Sequence, residues 1–315
     1  MRHAIDPKID CVFKALLGAE ANRDLLVHFL NAMLGGELPA PIVDVVILNP
    51  YNEREFLDDK LSIVDVKARD AAGCLYQIEI QLLVLPELPA RILYGWADLY
   101  SSQLASGEDY LELKPTYAIW LLGETLLPAV PGYAHRYRFC DAAGRPLLDH
   151  GCVALFELPK FAAEHATAAQ QAAGQVAVAS EEERWLKLFV EGEYLDPDNL
   201  PPWMNTPEMR RVMSTMQGFS EKERAYHAYQ ARQNYLRQQK TIQRRIDQLT
   251  ADLEREQTEK ARERAEKERA QADITRERAE KERAQAEKER AQAEKEHAQA
   301  EIERLKALLK DASAD

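Results

Sequence analysis

The stretch Leu61-Ser-Ile-Val-Asp65-Val-Lys67-Ala-Arg-Asp70-Ala-Ala-Gly73-Cys-Leu-Tyr-Gln77-Ile-Glu79-Ile-Gln81 decides the fold. Leu61 to Arg69 and Leu75 to Leu85 are apolar, β-branched runs separated by Ala71-Ala72-Gly73, which predicts two strands joined as a hairpin. Side chains alternate faces along a strand. Glu79 and Gln81 therefore share one face and Ile78 and Ile80 the other, while Ile63, Asp65 and Lys67 share a face of the preceding strand. A three-residue turn at 71–73 pairs Asp70 with Cys74. Counting back, Lys67 meets Gln77, Asp65 meets Glu79 and Ile63 meets Gln81. The two acids then have Cβ atoms about 5 Å apart. A two-residue turn would send them to opposite faces.

Two carboxylates at that separation repel. On a solvated hairpin they cost little, but Ile63, Val64, Val66, Ile78, Ile80 and Leu82 make these strands apolar on both sides. Buried there, one acid keeps a proton or a cation sits between the two. A hard divalent ion meets that need, because Mg²⁺ is held by one or two carboxylates with waters and a phosphate completing its shell. Such an ion stabilises a phosphodiester transition state and activates water.

Working outward, Asp6-Pro7 reads as a helix start. Helical spacing from Val12 to Met33 is broken near Gly18 and stopped by Gly35-Gly36. Ile42 to Leu48 reads as a strand. After the hairpin, Leu88 to Leu104 has helical spacing and Thr116 to Leu122 is a buried strand. Helix, three strands, helix and strand make an α/β layer around a central sheet. Arg136–Asp141 and Val153–Leu158 are further strand candidates. Residues 161–180, rich in Ala and Gln, read equally as helix or linker, Glu181 to Val190 as a packed helix, and Asp196 to Pro207 as a loop. Trp96 and the tyrosines at 94, 110, 117, 133 and 137 read as core.

The 315 residues hide two different polymers. Charged residues reach 30%, above the usual quarter, and much of the excess follows residue 220. A net charge of −12 argues against coating nucleic acid by bulk charge but leaves room for a local basic groove. The four cysteines form no metal-ligand spacing and read as reduced thiols of a cytoplasmic protein. The start lacks the apolar run of a secretory peptide, and no apolar stretch reaches the ~18 residues that a membrane span needs. The scattered histidines form no metalloprotease motif, and no nucleophile elbow or phosphate-binding glycine loop occurs.

The tail is a repeat. Seven-residue units run without a gap from 263 to 304, and no Pro or Gly follows Gly218. Together the repeats predict a helical rod about 63 Å long. Ile242, Ile246, Leu249 and Leu253 form a 4-3-4 seam whose register continues to Ile274, Ile302, Leu305 and Leu309. Between these anchors the seam holds mainly Ala and Lys. A coiled coil zipped at its two ends and a single charged helix both fit.

The residues quoted above resemble the PD-(D/E)XK nuclease superfamily, and more closely its recombination-promoting nucleases, also described as transposases. Asp6–Gly35, with Asp10, Phe13-Lys14 and Phe29-Leu30-Asn31, carries part of the likeness; Ser62-Ile-Val-Asp65-Val66, Gly73 and Ile78-Glu79-Ile80-Gln81 carry more. Arg91, Tyr94, Tyr100, Tyr110, Pro115 and Tyr117 continue it. The resemblance spans roughly residues 1–240. It implies a restriction-endonuclease-like core at 1–160; the residue pattern adds a helical extension and loop at 161–219 and, from the repeat, a long charged helix, expected as a coiled coil that pairs subunits, at 220–315. It also implies metal-dependent cleavage of DNA, with Asp65 and Glu79 as ligands of Mg²⁺ or a similar ion. Gln81 stands where the superfamily usually has lysine, so it can orient water but brings no charge. Lys67 and Lys60 are the expected substitute cations; Asp10 or Lys14 approach from the first helix, and Arg91 touches phosphate or packs on the sheet. The competing expectation is an inactive nuclease fold serving as a platform for coiled-coil partners.

Overall fold

In a computed structural model of the chain, the described residues are 4–48, 65–172, 178–221 and 223–312; side chains at 167–172, 223–224, 303–305 and 307–312 are not described. They form two compact units, Met1–Lys240 and Thr241–Asp315. The first is built on a mixed six-stranded sheet of β1 (Val45–Leu48), β2 (Val66–Asp70), β3 (Leu75–Gln81), β4 (Thr116–Leu122), β5 (Ala134–Tyr137) and β6 (Val153–Glu157), in the order β1-β2-β3-β4-β6-β5. β3, β4 and β6 run parallel at its centre. β1, β2 and β5 are antiparallel to their neighbours.

The hairpin has the register expected of a three-residue turn. Val66 lies opposite Ile78 and Lys67 opposite Gln77. The Asp70 N–H donates to the Cys74 carbonyl at 3.1 Å. Gly73 closes the turn at φ +89°, a conformation that a side chain at Cβ disfavours. The expected strand start at Leu61–Val64 lies outside the described residues, as does Lys60.

One face of the sheet is covered by α1 (Asp10–Leu17), α2 (Arg23–Leu34), α5 (Glu181–Glu191) and α6 (Pro207–Glu221). Val66, Ala68, Tyr76, Ile78, Ile80 and Ile119 meet them. The other face is covered by α3 (Leu88–Ser101), whose Leu88, Ile92 and Trp96 pack on Ala118, Trp120, Leu122 and Leu155. Full burial of each such aliphatic side chain contributes about 1.5–3 kcal/mol. The Ala-rich stretch that read as helix or linker is α4 (Leu158–Ala172).

Helix α1 begins later than Asp6-Pro7 suggested. The Asp6 carboxylate accepts the Lys8 N–H at 2.9 Å and pairs with its ammonium at 2.8 Å, which makes a turn before the helix. β1 starts at Val45 and not at Ile42, because the Asn31 side chain takes both the N–H and the carbonyl of Ile42. Trp96 and Tyr117 are core, but Tyr94, Tyr110 and Tyr137 are exposed. Tyr94 falls on the solvent side of α3, Tyr110 in a short turn, and Tyr137 at the end of the edge strand β5.

The second unit is the continuation of one 90-residue helix, α7 (Glu223–Ala312). Its described seam residues, Ile242, Ile246, Leu249, Leu253, Ile274 and Ile302, are about half exposed. Among the described residues no helix is long and apolar enough to cross a membrane.

Candidate active site

β3 is buried along nearly its whole length, and on both faces. Its even positions join the larger core, so its odd positions, Gln77, Glu79 and Gln81, face the α3 side. Glu79 lies beside Trp120 of β4, and Gln77 lies under α3 at Gly95. A Cβ at position 95 would come within 3.2 Å of the Gln77 amide nitrogen, so glycine lets the helix sit this close to the acid-bearing strand.

Asp65 immediately precedes β2, one step beyond the pair Val66–Ile78. Its carboxylate accepts the Ile80 N–H at 3.0 Å and pairs at 3.3 Å with the ammonium of Lys14, which reaches in from α1. Glu79, 4% exposed, is engaged by the Gln77 amide N–H at 3.3 Å and by the Asp65 backbone. Burial and then the charge of Asp65 push its pKa from 4.5 up to about 8; Arg91, Gln77 and the Asp65 backbone offset only part of this. The two acids therefore sense one another in a site that disfavours two negative charges. The oxygen of the same Gln77 amide is buried and has no hydrogen-bond partner among the described residues.

Gln81 is tied at both ends. Its amide nitrogen donates to the Leu83 carbonyl at 2.8 Å, and its oxygen accepts from Arg91 at 3.1 Å. Arg91 lies in the first turn of α3, with its guanidinium 5.7 Å from the Trp120 ring centre. The positive charge that glutamine does not bring thus stands next to it, on a residue ten positions further along the chain. Lys67 faces Gln77, further from the two acids along the hairpin. Asp10 is drawn elsewhere: it pairs at 3.1 Å with Arg232 of α7.

The geometry thus brings together Asp65, Glu79 and Gln81, as the hairpin register implied, and adds Lys14 and Arg91. Sequence reasoning named Lys14 only as an approach from the first helix, and left Arg91 between phosphate contact and packing. The available signal was its place in the turn of helix that follows the E-x-Q strand.

A family model described as PD-(D/E)XK nuclease family transposase matches residues 7–246, which include the whole hairpin, α3 and the start of α7. The chain belongs to this family. The family's description names a nuclease and a transposase, and the acid pair of this chain lies inside the matched region. No curated protein and no solved structure matches the chain.

The donor set suits a hard cation. Asp65 and Glu79 offer carboxylate oxygens, and burial together with the Asp65 charge raises the Glu79 pKa, so a second positive charge there would be favoured. Among the described residues no three His, Cys, Asp or Glu side chains converge, so two protein carboxylates would leave the remaining positions to water and phosphate.

Proposed function

We propose that this protein is a divalent-metal-dependent DNA endonuclease of recombination-promoting or transposase type, with a restriction-endonuclease-like core in residues 1–160. The observation that carries this reading is the pair Asp65–Glu79, in which Glu79 is buried next to a second acid and held near a pKa of about 8. Asp65 and Glu79 would hold Mg²⁺ or a similar ion, which when bound supplies Lewis acidity to the phosphate and an activated water. Water attacks phosphorus, one ester P–O bond breaks, and the ends left are a hydroxyl and a phosphate monoester. Arg91, held by Gln81, provides the charge that stabilises the developing negative phosphorane. Gln81 is then a positioning residue more than a water ligand, since both ends of its amide are engaged. Lys14 balances Asp65, and Lys67 remains a second cation for the DNA backbone. The residues at 161–219 extend the core, and the charged helix of 220–315 pairs subunits. The four thiols are free, which fits a reducing compartment such as the cytoplasm.

The test is plasmid cleavage by the full chain with Mg²⁺ or Mn²⁺ and with a chelator. The expected result is metal-dependent nicking that falls at least ~1,000-fold in Asp65→Ala and in Glu79→Ala, with both variants folded. Wild-type protein that binds no divalent ion and never nicks DNA overturns the proposal in favour of a non-catalytic platform.

A further inference from the structure

We propose that the groove at the carboxyl ends of β3, β4 and β6 grips the phosphate backbone of the DNA strand through Arg237 and Lys240, apart from the acid pair. This rests on the reading of the chain as a DNA nuclease, and adds where the substrate strand is held. The chain carries a net charge of −12, so a contact with DNA has to be local.

The three parallel strands end together. Leu82 follows β3, Gly123 follows β4 and Leu158 follows β6, and all three line one groove of about 340 Å³. The chain leaves β3 for α3 on one face of the sheet, whereas Leu158 and Phe161 at the start of α4 join the core on the other face. A crevice opens where successive connections part in this way, and open α/β sheets bind ligands there. Gly123 lets two of the strand ends stay close, since a Cβ on it would come within 3.0 Å of the Leu82 Cα. Its N–H donates to the Gln81 carbonyl at 2.8 Å, so the floor of the groove begins one residue after the E-x-Q strand.

The far wall is the first part of α7, which belongs to the front unit. Gln233, Leu236, Arg237 and Lys240 fall at i, i+3, i+4 and i+7 and so share one helical face. Leu236 packs against the core, and Arg237 and Lys240 are exposed.

The lining is unbalanced in charge. Lys8, Arg237 and Lys240 stand against one acid, Asp6. That acid is committed to Lys8, whose N–H it accepts at 2.9 Å and whose ammonium it pairs with at 2.8 Å. Glu193, the next acid within reach of Lys8 and Arg237, lines the neighbouring groove instead. The first turn of α4, the positive end of its helix dipole, adjoins the cations. A ligand entering here meets an ammonium and a guanidinium on one helix face, above a floor of Leu82, Leu158 and Leu236. Two cations over an apolar floor suit a phosphodiester chain, whose charged oxygens alternate with apolar sugar. A free phosphate would turn further charged oxygens onto that floor, at a cost in desolvation.

The test is binding of a short fluorescein-labelled DNA duplex by the full chain in a chelator, followed by anisotropy over a range of salt, so that cleavage does not enter. Replacing both Arg237→Gln and Lys240→Gln should weaken binding roughly tenfold and make the plot of log affinity against log salt shallower by about two. Both side chains are exposed, and circular dichroism checks that the fold is kept. Arg145→Gln takes a charge from an exposed turn outside the groove and should change neither quantity. A double variant with wild-type affinity and slope overturns the proposal, and so does an equal loss in Arg145→Gln, which would mean bulk charge only. Inorganic phosphate should displace the duplex no better than chloride at the same ionic strength; specific competition makes this a site for the free anion and overturns the DNA assignment. Wild-type protein that binds no duplex at low salt overturns it too. Groove-dependent binding without nicking keeps this inference and removes the nuclease reading, whereas metal-dependent nicking with binding unchanged in the double variant does the opposite.

Discussion

Two glutamates end up buried in parallel strands of the same sheet, and they are opposites. Glu157, at the end of β6, is fully buried. Burial pushes its pKa up, but Lys160, the N–H groups of Leu127 and Leu126, and His135 together hold it below the ordinary value. Those partners lie at 2.5, 2.9, 2.6 and 3.0 Å. It is a satisfied carboxylate that pins the loop after β4. Glu79, two strands away, has one long hydrogen bond from Gln77, a backbone contact from Asp65 and a negative neighbour, and is pushed up to about 8. Burial by itself therefore says nothing about function. What separates a structural acid from a site is whether the fold supplies enough donors to hold its charge.

That contrast yields measurable expectations. Glu79→Ala should remove at least three orders of magnitude of cleavage while costing little stability, because the residue it deletes is poorly accommodated. Glu157→Ala should do the reverse. It leaves Lys160 only the Leu127 and Val130 carbonyls and takes the acceptor from the half-buried N–H groups of Leu126 and Leu127 and from His135, and unfolding should become easier by about 3 kcal/mol in a urea titration. Equal destabilisation by the two substitutions would erase the distinction.

Glu79→Gln sharpens the comparison through pH. The folded pKa of Glu79 is above the unfolded one, so the folded chain retains a proton that the unfolded chain releases. Its contribution to stability is present below pH 4.5 and is lost as pH rises toward about 8. In a chelator the wild type should thus lose stability from pH 5 to 8, and Glu79→Gln should be about 4 kcal/mol more stable than wild type at pH 8. A divalent ion should restore the wild type, and more so at higher pH, because it competes with the proton. Parallel melting curves for the two proteins across this range would contradict the assignment.

The smallest expected effect concerns Arg91. Removing it takes away a charge that lowers the Glu79 pKa. Arg91→Ala should lower cleavage near pH 7 roughly tenfold and displace the pH profile to the alkaline side, and Arg91→Lys should recover part of both. A uniform loss at every pH would mean that Arg91 acts by packing on Trp120 instead.

The hairpin was legible because its information is local. The length of the Ala71-Ala72-Gly73 turn, together with the two-residue period of the strands, settles which residues stand opposite one another, and Val66–Ile78 obeys it. Arg91 was harder to place: a helix tells which residues share a face, but how that helix lies on β3 depends on Gly95 and on the packing of Leu88, Ile92 and Trp96. Asp10 was misleading for a similar reason, since its partner Arg232 lies more than two hundred residues away. Glu157 left no signal at all. A lone acid at a strand end looks like a solvated one until Leu126, Leu127, His135 and Lys160 are folded around it.

By itself the sequence determined the α/β alternation, the pairing of the hairpin and the long heptad helix, all of which are set by short-range periodicity and turn length. The tertiary structure alone decided which buried acid has its charge held by donors and which has its pKa raised, and which cation stands at Gln81. Those are matters of hydrogen-bond supply and dielectric, and both come from residues far apart in the chain.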